Sequence, residues 1–197
     1  AASPVADPAA EIIAIADRAM TEMSLRAVLL TVTVNGEELV THAAGESMTG
    51  IPATADMHFR NGAVAITYMS TLLLTLVDDG TVALDDTIDQ WLADLPDSDR
   101  VTLKMLANMT AGYPDFVPNL EFQDTFFGDP FRAWTPEDLI AYSLDQPRRF
   151  APGENWDYSH SNYVILGLAL EAATGQALAD LLRERILDPL GLTETAS

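Results

Sequence analysis

Cysteine is absent from this chain of 197 residues, and lysine occurs once, as Lys104. The first absence removes disulfides, thiol nucleophiles and zinc–thiolate sites together. The second belongs to a wider scarcity of positive charge: 10 basic residues stand against 30 acidic ones, a formal net charge of −20. A surface so acidic repels nucleic acid and anionic lipid, so no nucleic-acid partner is expected. No apolar run reaches the roughly 20 residues that a membrane-crossing helix needs, so no membrane span is expected. His42 and His58 show no metal-ligand spacing with each other or with acidic residues, so no metal is assigned, and no other cofactor is expected. What the chain does have is 48% hydrophobic residues, enough for one ordinary domain with a buried core.

The opening AASPVADPAA lacks the positive and apolar stretches of a secretion signal, but its small residues and prolines resemble what signal cleavage leaves behind. Residues from 1 to about 8 are therefore read as a leader remnant or linker, and the protein as exported to the periplasm, cell envelope or medium. Asp7 and Pro8 have the order of N-cap and first helical residue, and Ile12, Ile13, Ile15, Ala16, Ala19, Met20 and Met23 recur at helical spacing, which predicts a helix over 8–23. From Ala27 to Ala43 the text turns β-branched on both sides of Asn35-Gly36, which predicts an antiparallel hairpin. A loop is expected through GESMTGIPATADMH, then a buried helix from about Val64 to Val77. Shorter helices are predicted over 85–92 and 102–109. Residues 113–134, rich in aromatics, proline and aspartate, read as a long irregular loop that is either a lid or pinned by its rings. Thr135-Pro136-Glu137-Asp138 opens a helix to about Asp145, and two more are predicted over 162–174 and 177–187. A two-stranded hairpin is marginal alone, so its strands are expected to belong to a larger sheet.

Five segments fall into one order: FRNGAVAITY, LVDDGTVALDDTIDQWL, VTLKMLANMTAGYPDF, FAPGENWDYSHSNYVILGLALEAATG and ILDPLGL. In that order they resemble the serine β-lactamase and D-Ala-D-Ala peptidase superfamily, on the branch of class C β-lactamases, D-aminopeptidases and esterases. The resemblance runs from about residue 9 to the C-terminus. It implies an α/β (α+β) fold with an N-terminal helix and β-hairpin followed by a helical region. It also implies that residues 1–197 are the N-terminal portion of a single domain, with the C-terminal strands of the sheet missing from this chain. Another chain or a swapped copy is then expected to complete the sheet.

Enzymes of the superfamily open a central helix with S-x-x-K, where lysine one turn after serine takes the hydroxyl proton. The resemblance aligns Ala63 with that serine and Ile66 with that lysine. A methyl group cannot attack a carbonyl, and a butyl side chain cannot move a proton. No shifted copy exists, because Lys104 follows Val101-Thr102-Leu103. Tyr158-Ser159-His160 aligns with a Y-x-N motif, keeping the tyrosine and placing histidine where asparagine is usual. The neighbouring hydroxyls Thr67 and Ser70 are weak substitutes for the nucleophile. Asp78-Asp79 and Asp85-Asp86 read as solvated turn and cap residues. The resulting expectation is a serine-hydrolase homologue that leans away from catalysis and binds a peptidoglycan-like or acyl small molecule, or a partner. The alternative is an active hydrolase with a non-standard nucleophile.

Overall fold

Asp7 caps the first helix in the computed structural model, which describes residues 7–197. Its side chain accepts from the Ala9 backbone at 3.1 Å, and Pro8, which has no N–H to leave unpaired, begins α1 (Pro8–Glu22). The segment read as a leader remnant lies outside the described residues except for Asp7 and Pro8, which form this helix start. The described residues pack as two compact units, 7–60 and 61–197.

In the first unit β1 (Ala27–Val34) and β2 (Glu37–Met48) pair antiparallel, from Ala27 opposite Gly45 to Val34 opposite Glu37, with a bulge at Val32/Thr33. The turn is the one that Asn-Gly favours: Asn35 and Gly36 both have positive φ, 54° and 86°. The hairpin extends past its expected end at Ala43, and part of the expected loop is a short third strand, β3 (Ile51–Pro52), giving the order β1-β2-β3.

The second unit is helical. A 3₁₀ turn over Gly62–Val64 leads into α2 (Ala65–Asp78), which buries Met69, Leu72, Leu73 and Leu76 at helical spacing. The helix expected over 85–92 is reduced to α3 (Asp89–Leu92). The backbone before it pairs instead with 101–104: Ile88 donates to Val101, Leu103 to Asp86 and Lys104 to Leu84. Thr102 caps α4 (Leu103–Ala107) through Met105 N at 3.2 Å, and the side chain of Lys104 is exposed on it. The presumed loop 113–134 contains α5 (Leu120–Gly128), whose cap Asn119 accepts from both Glu121 N and Phe122 N. A full capping box between Thr135 and Asp138 starts α6 (Pro136–Leu144).

The centre of this unit is α7 (His160–Thr174), which buries seven residues and ends at Gly175 in the left-handed conformation. The predicted helix 177–187 is α8 (Leu178–Leu182) continued by a π-helical turn, Arg183–Leu187, and a final turn, α9 (Asp188–Leu190). Leu72, Leu76, Ile88, Leu106, Ile165, Leu166 and Leu170 are fully enclosed in one core.

A second anchor is polar. The ring of Tyr113 is buried beneath the Arg148 guanidinium, 4.3 Å from its centroid, and its hydroxyl donates to Pro96 O at 2.7 Å. Arg148 also donates to Ala111 O at 2.7 Å and pairs with Asp97 at 3.3 Å. Burial pushes the Tyr113 hydroxyl up to about 12. Next to it, Gly112 has φ +84°, and a Cβ there would lie 2.2 Å from Phe150 O, so glycine is required by contact as well as by conformation.

Candidate functional site

The residues singled out from the sequence sit at the starts of two helices. Ala63 lies exposed in the 3₁₀ turn before α2, and Ile66, half-buried, lies in the first turn of α2. Tyr158 precedes α7 and His160 is its first residue. The two helices are joined by a hydrogen bond at 2.8 Å between Ser70 Oγ and Tyr163 OH, and Tyr163 in turn donates to Ala107 O at 2.7 Å. Ser70 is thereby engaged in packing, and Thr67 donates to Val64 O at 2.6 Å. Neither hydroxyl is poised beside a base.

Tyr158 and His160 meet directly: their rings are perpendicular, with centroids 5.1 Å apart, and both side chains are partly exposed. The residue that sequence reasoning missed is Asp115. Its carboxylate lies 3.0 Å from His160 Nδ1 and accepts from the His160 backbone N at 3.2 Å. It also accepts from Val117 N at 3.2 Å. A carboxylate at this position answers the unpaired N–H groups at the start of a helix and the partial positive charge they carry. It takes the capping position that Ser159 leaves open, since the Ser159 side chain makes no cap bond.

A second pair of bonds closes the same joint. Ser161 Oγ donates to Pro114 O at 2.7 Å and accepts from Phe116 N at 3.2 Å. Residues 114–116 are thus stitched to 160–161, which lie 45 positions further along the chain. Phe116 stands 6.1 Å from the imidazole and 5.0 Å from Phe122, which also contacts Phe126, Trp134 and Tyr142. The 113–134 segment is therefore pinned by its rings, with Phe122 as the hub. Beneath the site, Ser159 Oγ and both amide atoms of Asn162 are buried with no hydrogen-bond partner among the described residues.

The remaining sequence candidates are local. His42 Nε2 meets Asp17 at 3.0 Å. Asp79 accepts from Thr81 within its turn and pairs with the distant Arg185 at 2.9 Å, and Asp86 accepts from Ala83 N at 2.7 Å, so these two acids are bonded rather than simply solvated. The Thr81 hydrogen bonds hold the Asp79 carboxyl below its ordinary range. Among the described residues no three His, Cys, Asp or Glu side chains converge as metal ligands, and no single helix is long and apolar enough to cross a membrane. A half-open cavity of about 310 Å³ lies along α2 and α8, lined by Ala65, Tyr68, Met69, Leu178 and Leu182 among others. It includes none of Ala63, Ile66, Tyr158 or His160.

Known proteins supply the wider setting. The family described as Beta-lactamase matches residues 12–197. Penicillin-binding protein 4 of Amycolatopsis lactamdurans is 33% identical over 187 residues, 91% of this chain and 46% of that protein. Esterase EstB of Burkholderia gladioli is 31% identical over 202 residues, 94% of this chain and 50% of that protein. The solved structure of a D-stereospecific amidohydrolase from a Streptomyces species shares the fold at a TM-score of 0.76 and 28% identity, covering 85% of this chain and 50% of that one. The chain spans about half the length of these relatives.

Proposed function

Because the chain belongs to the beta-lactamase family, we propose that it is a non-catalytic member that works by binding. The reading rests on one observation: the aligned serine and lysine positions hold Ala63 and Ile66, and the sole lysine, Lys104, has no serine three residues before it. Without a hydroxyl to acylate and an amine to deprotonate it, the family's covalent route has no first step. The start of α7 still presents polar groups, the aligned tyrosine as Tyr158 just before it and His160 in place of the usual asparagine, so a peptidoglycan-like peptide or another acyl small molecule is the ligand class proposed. No cofactor is invoked. Export to the cell envelope or beyond accords with such a ligand.

A second reading, an active hydrolase using a non-standard nucleophile, is favoured by the Asp115–His160 pair beside Tyr158, a carboxylate-backed imidazole of the kind that serves as a general base. Incubation with a fluorescent penicillin and a chromogenic ester separates the two. Under the binding reading no covalent label forms and no ester turns over, while unlabelled penicillin or a D-Ala-D-Ala peptide binds reversibly and saturably. Covalent labelling, or turnover that Tyr158→Phe abolishes, overturns it.

For partners we propose that a further strand, from another chain or a swapped copy, pairs with β1. Among the described residues only β2 pairs with β1, and an unpaired edge of this kind attracts a strand. Sizing chromatography that returns a monomer at all concentrations counts against this.

A further inference from the structure

We propose that Asp115 is the positioning residue of this site: it fixes His160 as the imidazole tautomer protonated on Nδ1 and so makes Nε2 a hydrogen-bond acceptor for the ligand. The proposal rests on the reading that the Tyr158–His160 wall binds ligand, and it specifies what that wall recognises.

The chemistry follows from the contact. An ionised carboxylate can only accept, so the nitrogen 3.0 Å from Asp115 must carry the proton, and in the neutral ring the other nitrogen is then bare. Nε2 lies across the ring from Asp115 and has no hydrogen bond among the described residues. The His160 side chain is 40% exposed whereas Asp115 is 14% exposed. The carboxylate is thus the sheltered member and the imidazole the one presented outward.

Asp115 cannot swing away independently. It bonds the backbone and the ring of His160 together, and the Ser161 bonds to Pro114 and Phe116 hold its neighbours on both sides. The rings of Tyr158 and Phe116 border the imidazole. A wall made of a bare imidazole nitrogen and a tyrosine hydroxyl, with a sheltered carboxylate behind it, selects a ligand that brings a donor: a hydroxyl, an amide N–H or an ammonium. It disfavours a carboxylate or phosphate at the same spot.

The protein carries its own internal control. His42 meets its aspartate through Nε2, so the same argument gives it the opposite tautomer. A long-range ¹H–¹⁵N correlation spectrum of the ¹⁵N-labelled protein, recorded with the rings neutral, should show His160 protonated on Nδ1 and His42 protonated on Nε2. In Asp115→Asn, His160 should move toward the Nε2–H form, and Asp115→Glu should restore Nδ1–H. Carbethoxylation by diethyl pyrocarbonate, which needs a bare and accessible ring nitrogen, should modify Nε2 of His160 and slow several-fold in Asp115→Asn. His160 found as Nε2–H in the wild-type protein overturns the proposal, as does an Asp115→Asn variant with unchanged tautomer and unchanged carbethoxylation. If Asp115→Asn fails to fold, the wild-type spectrum and Asp115→Glu still decide. Because none of these readouts uses penicillin or peptide, failure here is distinguishable from failure of the binding reading.

Discussion

The two units hold apolar residues in different ways. Among the described residues of 7–60, Val40 and Ala53 alone are buried hydrophobics, α1 buries none, and Ile15, Leu29, Met48 and Ile51 are exposed. In 61–197 Leu72, Leu73 and Leu76 of α2, Leu103 and Leu106 of α4 and Ile165, Leu166 and Leu170 of α7 close into one core. The difference teaches that hydrophobic pattern sets the face of an element, while a second layer must exist before that face becomes stability. Helices wrapped round α7 supply that layer for one another, whereas α1, which packs against β1 and β2, buries none of its own residues.

The largest expected effect tests this contrast directly. Leu72→Ala, in the fully enclosed part of α2, should cost about 2–5 kcal/mol in urea unfolding. Leu29→Ala on the sheet, where the leucine is 36% exposed, should cost less than about 1 kcal/mol. Equal losses would mean that the sheet is packed as tightly as the helices.

Next in size is an alkaline effect confined to the helical unit, since all five tyrosines lie beyond residue 60. Tyr113 keeps its proton to about 12 when folded, against about 10 in an unfolded chain. Between those values the folded state binds more protons than the unfolded state, so stability falls as pH rises. The contribution is fully present below about pH 10 and is lost through about pH 12, a change of about 2–3 kcal/mol. Unfolding midpoints at the two ends of that window measure it, and Tyr113→Phe should flatten the slope.

The smallest effect compares two helix caps. Thr135→Ala removes a complete capping box and should lower global stability by about 1 kcal/mol. Asp7→Ala removes a single side-chain cap from a helix that buries nothing, so hydrogen exchange should quicken around Ala9 with little change in the global midpoint.

Legibility in the sequence followed the range of the interaction. Asn35-Gly36, the Thr135 cap and the apolar face of α2 are local signals, and each marked its element. The helix expected over 85–92 failed because backbone groups of 84–88 found partners at 101–104, which no periodicity reveals. The helix α5 was hidden because Asn119, its cap, sits among other residues typical of loops. Ordered motifs brought Tyr158 and His160 into view. Asp115 stayed out of view because its bonds to His160 cross 45 positions and depend on where Pro114 and Ser161 place the chain.

Lys104 gives the scarcity of lysine a practical consequence. Its ammonium is exposed on α4, and its backbone N–H is bonded to Leu84 O, so the side chain can be modified without disturbing the helix that carries it. Apart from a chain-terminal amine, an amine-selective crosslinker has one address per molecule. With the terminal amine blocked, a covalent dimer of two such chains reports a single Lys104-to-Lys104 distance, a one-parameter ruler for how copies associate.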